Sequence, residues 1–334
     1  MASGEFLAGT RGFQIVFNTK NKTTSKRIVL LRQGTKRTAR SVPGSGRNDV
    51  MRLICTEKSQ ILATSLARKL NVPLVDVKYS RFPDGELYLE AGELDDETVV
   101  IGSVVDNDAL VQLLLLIDAC DCSARRLVIP YMGYARQDKR FKQGEPVSAR
   151  AIAQVVSTGV KSIITVNIHE KDVLKYFTVP ARNVSVARDV GAYIKTLDLD
   201  NPLILAPDEG ALGFASDVAS AGGWDFDHLE KTRMSGLEVK MAPKKLCAAS
   251  RSVVIVDDII STGGTIATAA GMLYEQDAKD VYAACVHGVL TGGAYARLMS
   301  TGIRDVVCSD TIERGCSKIS ATNQIAAAIG DAHD

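Results

Sequence analysis

From Met51 onward, short runs of β-branched and other apolar residues alternate with segments whose apolar positions recur every three to four residues. Residues 98–103, 126–131, 162–168, 202–206, 252–257, 281–286 and 305–308 read as strands. Several are continuously apolar, as parallel strands covered on both faces must be. Between them, 57–70, 107–120, 148–157, 263–276 and 322–329 read as helices, the first stopped by Pro73. In the 107–120 segment Leu110, Leu113, Leu114 and Ile117 share one face. Such alternation predicts α/β architecture, and it runs too long for one sheet of ordinary size. We therefore expect two doubly wound domains with mostly parallel sheets, 51–196 and 197–334, with the C-terminal tail packing back on the first half.

The first 50 residues break the pattern. They carry ten Lys/Arg against Glu5 and Asp49, are rich in Ser and Thr, and show no sustained periodicity. We read 1–50 as a basic extension outside the fold. The overall charge of +1 hides this asymmetry, because the remainder carries 30 basic and 37 acidic residues. A mildly acidic body argues against a general nucleic-acid binder. The longest apolar stretch, 109–117, contains Gln112 and is too short to span a bilayer. Seven scattered cysteines, with no paired zinc-ligand spacing, read as free thiols in a reducing, cytoplasmic setting.

The most informative chemistry lies in 253–265. A buried apolar run ends in Asp257 and Asp258, and then Ser261, Thr262, Gly263, Gly264 and Thr265 open a helix. Backbone N–H groups and hydroxyls of such a loop converge beside the positive end of the helix dipole, which suits a phosphate monoester. The two carboxylates can then serve sugar hydroxyls or a divalent cation. The bland alternative is a capped turn with Ser261 or Thr262 as N-cap.

This segment resembles the ribose-phosphate signature shared by phosphoribosyltransferases and phosphoribosyl pyrophosphate synthetases, with Ser261 where many members have a third acid. The first half resembles the synthetases, that is, the ribose-phosphate pyrophosphokinase family. Residues 80–86 (SRFPDGE) are similar to its nucleotide-binding turn, and 130–140 (PYMGYARQDKR) continuing to 146–149 (PVSA) to its ATP site and mobile loop. Segments 166–169 (VNIH), 207–210 (PDEG) and 230–233 (EKTR) match three more, all in the family's order.

The resemblance implies two phosphoribosyltransferase-like domains and transfer of the pyrophosphoryl group of ATP to the 1-hydroxyl of ribose 5-phosphate, with Mg2+. ATP would be held by Phe82, Asp84, Glu86, Arg136, Gln137, Asp138 and His169. Ribose 5-phosphate would be held by Asp208, Asp257, Asp258 and the loop Ser261, Thr262, Gly263, Gly264 and Thr265. Lys139, Arg140, Lys231 and Arg233 would supply catalytic positive charge, and His169 and Asp208 would face the metal. Asn167 stands where many members carry an Asp, and an amide is a weaker Mg2+ ligand than a carboxylate. Asp208 could equally cap the helix that follows it. The 80–86 turn reaches a neighbouring subunit's nucleotide in the family, implying a homo-oligomer built from dimers. A phosphoribosyltransferase and a non-catalytic partner of a synthetase are the competing readings.

Overall fold

The computed structural model describes residues 51–94, 96–121, 123–233, 239–241 and 247–331, with backbone alone for 231–233 and 239–241. The basic extension expected at 1–50 and Cys122 lie outside the described residues.

The chain opens with β1 (Arg52–Cys55) and α1 (Gln60–Leu70). The helix stops where Asn71 turns left-handed, at φ 55°, and donates its N–H back to Arg68. A hairpin follows, β2 (Val77–Arg81) and β3 (Leu87–Ala91), and then β4 (Glu97–Ile101) returns to pair with β1. Next come α2 (Asn107–Ala119), β5 (Ala124–Ile129), α3 (Ser148–Val156), β6 (Ser162–Val166) and β7 (Ala181–Val184). Asp106 caps α2 by accepting from the Ala109 amide at 2.7 Å. The buried face of α2 is Ala109, Gln112, Leu113, Leu116 and Ile117; Leu110 and Leu114, expected on one face with Leu113 and Ile117, lie at its half-buried margin. The five strands form an all-parallel sheet in the order β1-β4-β5-β6-β7.

After α4 (Ala187–Lys195), the second half runs β8 (Leu203–Ala206), α5 (Leu212–Ser220), β9 (Phe226–His228), β10 (Lys231–Arg233) and β11 (Val239–Met241). It continues through β12 (Ser252–Ile260), α6 (Gly264–Glu275), β13 (Asp280–Gly288), α7 (Ala294–Ser300), β14 (Val306–Ser309), β15 (Ser317–Ile319) and α8 (Thr322–Gly330). Six of these strands form a second parallel sheet, β15-β14-β13-β12-β8-β9, while β10 and β11 make a separate antiparallel ribbon. Both main sheets bury apolar side chains on each face, which explains the continuously apolar strands.

The two halves are tied together by side chains and by the tail. Helix α8 packs on α1, β6 and β7, and Arg126 donates to the Ile329 carbonyl at 2.8 Å. Glu313 accepts from the Ile61 and Leu62 amides at 2.6 and 3.0 Å, satisfying donors at the start of α1. These ties hold the C-terminal ends of β6 and β12 in a fixed relation, and the site forms there.

Candidate functional site

Strand β12 runs further than its apolar pattern indicates. Ile259 and Ile260 stay paired with His287 and Gly288 of β13, so Asp257 and Asp258 lie within the strand. The chain then bends through Ser261 and Thr262 to Gly263, the N-cap of α6, whose φ of 74° is left-handed and suits glycine. No side chain caps α6, so neither Ser261 nor Thr262 consumes its first amides. Those N–H groups and the positive end of the helix dipole face a cavity of about 1010 Å3 lined by Ser261–Thr265, Asp257 and Asp258.

The opposite wall comes from the first half. Asn167, His169 and Lys171 follow the end of β6, and Arg136 follows β5. His169 Nδ1 lies 2.7 Å from Asp258 Oδ2, a pair that spans the two sheets. This hydrogen bond is the main reason the His169 pKa is raised, burial working against it. Burial likewise favours protonated Asp258, but the His169 hydrogen bond and charge overcome it and hold Asp258 below its ordinary pKa. Asp257 goes the other way. Burial, then the charge of Asp258, push its pKa well up, and Asp208 adds to the repulsion.

Asn167 has a structural task that an amide performs well. Its backbone is left-handed at φ 38°, and its side-chain oxygen accepts from the Val186 amide at 2.9 Å. Asp208 lines the cavity, and it accepts from the Ala211 amide at 3.3 Å as the cap of a short 3-10 turn, the capping role expected of it.

Other sequence candidates lie outside this cavity within one chain. Phe82, Asp84 and Glu86 sit in the exposed β2–β3 turn, Phe82 edge-on to Tyr88 at 5.6 Å. Asp84 Oδ1 accepts from the Glu86 amide at 3.2 Å, which shapes the turn. Gln137 accepts from Ser148 Oγ at 2.8 Å, and the Asp138 carbonyl accepts from Tyr176 at 2.9 Å. Lys139 lies 5.8 Å from the Phe141 ring centre, and Arg140 donates to the Glu145 carbonyl at 2.9 Å. Glu145 also accepts from the Phe141 and Lys142 amides, so residues 139–145 curl on themselves. The side chains of Lys231 and Arg233 lie outside the described part of the structure.

Two supporting residues escaped sequence reasoning. Arg297 on α7 donates to the carbonyls of Thr262 and Gly292, clamping the loop from behind. His287 on β13 is fully buried; Nε2 donates to the Val166 and Asn167 carbonyls (3.1 and 3.2 Å), and Nδ1 accepts from Thr311 at 2.9 Å. The Thr291-Gly292-Gly293 turn was the available signal for the first; the second had none.

Comparison with known proteins decides the family. Residues 51–159 match the N-terminal domain of ribose phosphate pyrophosphokinase, and 180–314 match the phosphoribosyl transferase domain. A ribose-phosphate pyrophosphokinase of Methanosarcina mazei is 48% identical over 283 residues, covering 84% of this chain and 95% of the relative. The chain belongs to the ribose-phosphate pyrophosphokinase family. The corresponding enzyme of Methanopyrus kandleri is 42% identical over 286 residues, 84% of this chain and 98% of its own. The crystal structure of phosphoribosylpyrophosphate synthetase from Mycobacterium smegmatis superposes with a TM-score of 0.74 at 28% identity, covering 85% of this chain and 99% of that one. Membership in the ribose-phosphate pyrophosphokinases makes the chain an enzyme with a two-domain, mostly parallel fold. The match over 51–159 is to a domain named for ribose phosphate pyrophosphokinase itself, which favours that family over the phosphoribosyltransferases.

Proposed function

We propose that the crevice between the ends of β6 and β12 carries out the ribose-phosphate pyrophosphokinase reaction, converting ATP and ribose 5-phosphate to phosphoribosyl pyrophosphate and AMP. One observation carries this reading: an uncapped, glycine-opened helix start with two adjacent carboxylates faces cationic groups from the other half. The 5-phosphate accepts from the amides and hydroxyls of Ser261–Thr265, and Asp257 and Asp258 accept from the ribose hydroxyls. His169, held by Asp258, faces the polyphosphate chain with Arg136. The 1-hydroxyl then attacks the β-phosphorus in line, and AMP leaves. Catalysis comes from positioning and from neutralising charge that builds in the transition state. Lys231, Arg233, Lys139 and Arg140 supply that neutralisation, the last two as residues 139–145 uncurl and close over the nucleotide.

The donor set fits Mg2+. Asp208, Asp257 and Asp258 line one cavity, and an ion of this kind takes one or two carboxylates plus substrate phosphates and keeps several waters. The mutual repulsion of Asp257, Asp258 and Asp208 gives a divalent cation something to relieve. His169 and Asp208 would face it, and it would screen the phosphate charge.

Phe82, Asp84 and Glu86 lie outside the cavity of their own chain yet present an exposed ring. We assign them to the nucleotide site of a neighbouring subunit, with adenine between Phe82 and Arg136 and Gln137, in a homo-oligomer built from dimers. Among the described residues no helix is long and apolar enough to cross a membrane; the substrates and the free thiols fit the cytoplasm. The test is purified full-length chain with Mg2+, ATP and ribose 5-phosphate. AMP and phosphoribosyl pyrophosphate should appear in equal amounts and only with the sugar phosphate. Formation of ADP, or no AMP at all, contradicts the assignment, the latter favouring a non-catalytic partner.

A further inference from the structure

The second sheet ends in an unusual pair of thiols. Cys308 near the end of β14 and Cys316 just before β15 bring their sulfurs to 3.5 Å, and the Cys308 amide donates to the Cys316 carbonyl at 3.1 Å. Adjacent strands lie about 4.8 Å apart, and Cys308 is registered against Ser317, the residue that follows Cys316. Closing the bond, at about 2.05 Å, needs the sulfurs to approach by about 1.5 Å. Two further observations distinguish this pair from ordinary core cysteines. Strand β15 is the sheet's edge, and Cys316, just before it, keeps 8% of its surface exposed while Cys308 and Cys285 keep none. The Cys308 sulfur also lies directly over Gly288, where a Cβ would meet it at 2.6 Å.

That second contact leads to the site. Gly288 ends β13, and its carbonyl accepts from Arg314 at 3.3 Å, as the Val289 carbonyl does at 2.9 Å. The next two residues, Leu290 and Thr291, donate to the carbonyls of Ile260 and Ser261 at 3.0 and 3.1 Å. The thiol pair is thus joined by continuous backbone contacts to the loop assigned to the sugar phosphate.

We propose that Cys308 and Cys316 form a peroxide-sensitive dithiol whose oxidation to a disulfide weakens ribose 5-phosphate binding through residues 288–291. The oxidant is a small peroxide. The Cys316 thiol gives up its proton, the thiolate attacks one peroxide oxygen and the O–O bond breaks; the leaving hydroxide takes up that proton, so with hydrogen peroxide the products are a sulfenic acid and water. The Cys308 sulfur then attacks the sulfenic sulfur. The S–S bond forms, the S–O bond breaks, and the Cys308 proton leaves with the hydroxide as a second water. Two electrons pass from the thiols to the peroxide. The hydrogen bond from the Cys308 S–H pulls the Cys316 pKa down, against burial, so Cys316 is the attacking partner. Cys285, opposite Cys308 on β13, is fully buried with a pKa pushed well up by that burial, and stays a bystander.

Trypsin separates the two sulfurs, because Arg304, Arg314 and Lys318 bound one peptide holding Cys308 and another holding Cys316. The experiment uses full-length protein with the exposed Cys247 replaced (Cys247→Ser), treated with hydrogen peroxide, then blocked and digested. The expected product is a 308–316 linked peptide pair that dithiothreitol releases. Oxidised enzyme should show a KM for ribose 5-phosphate raised at least about fivefold, the low end of coupling between linked sites, with the KM for ATP little changed. Cys316→Ser should keep its KM through peroxide treatment; should that variant fail to fold, Cys316→Ala serves, and mapping of the native pair needs neither. Both thiols remaining reduced, oxidation of Cys316 to the sulfinic acid without a link, or a 285–308 link would overturn the proposal. So would a 308–316 link that leaves the KM for ribose 5-phosphate unaltered. The kinetic arm rests on the sugar-phosphate assignment, whereas the peptide map does not, so failure of one is distinguishable from failure of the other.

Discussion

Gly263 is the most sensitive point of the proposed phosphate loop. Replacing it with alanine has two calculable costs. A left-handed backbone costs a non-glycine residue roughly 1–2 kcal/mol, and Gly263 sits at φ 74°. The new Cβ would also stand 3.1 Å from Leu298 Cγ and 3.3 Å from both its δ-carbons. Leu298 is fully buried in the core that includes Ile266 and Ala269, so it has little room to yield. Overpacking of this kind costs about 1–3 kcal/mol. If the loop keeps its shape, the whole cost appears in stability, a Tm lower by about 5–10 °C at a few degrees per kcal/mol. If the loop moves instead, each 1.4 kcal/mol of misplacement costs about tenfold in sugar-phosphate affinity. The expected outcome is a shared effect, with a lower Tm by calorimetry and a KM for ribose 5-phosphate raised about tenfold while that for ATP changes little. Gly264→Ala is the control for stability, because its Cβ would approach only Thr262 Oγ1, at 4.0 Å. Wild-type Tm and wild-type KM together in Gly263→Ala would refute the reasoning.

Three further outcomes are expected. His287 titrates at about 4 when folded, lowered by burial, and near 6.5 unfolded. The unfolded chain therefore binds the extra proton between those values, and stability falls as pH drops through that window by about 3 kcal/mol. Denaturant titrations should show this loss reduced in His287→Gln; an equal slope in both proteins would contradict it. Lys231→Ala should lower kcat by about 10²-fold or more, the scale of a lost transition-state charge contact, and near-normal turnover would remove it from the mechanism. Asp258→Asn should bring the His169 pKa, measured by NMR, down toward its ordinary value; a still-raised pKa would show that some other group raises it.

Much of the architecture was legible because parallel strands covered on both faces must be apolar throughout. The cores of β4, β5, β6, β8, β12, β13 and β14 all stood out for that reason. What stayed hidden lacks that signal. Strands β2 and β3 alternate half-buried and exposed residues, including Lys78, Glu90 and Tyr88, because the hairpin stands apart from both sheets. Helix α7 is only seven residues long. Within the site, 257–265 was readable since strand, acids and loop are contiguous. The His169–Asp258 pair joins residues 89 apart, and His287 reaches carbonyls more than 100 residues upstream. No local pattern encodes such contacts. Asn167 is instructive: the missing carboxylate looked like a lost metal ligand, while the folded chain uses the amide to hold the start of α4.

The central claim is that the start of α6 grips a sugar phosphate across from a nucleotide. A crystal structure of the full chain with Mg2+, ribose 5-phosphate and an unreactive ATP analogue tests it directly. The account predicts phosphate oxygens at about 2.7–3.2 Å from the backbone nitrogens of Gly263, Gly264 and Thr265, with the analogue's β-phosphorus facing the 1-hydroxyl. A sugar phosphate bound elsewhere, with Ser261–Thr265 making no contact to it, would contradict the account.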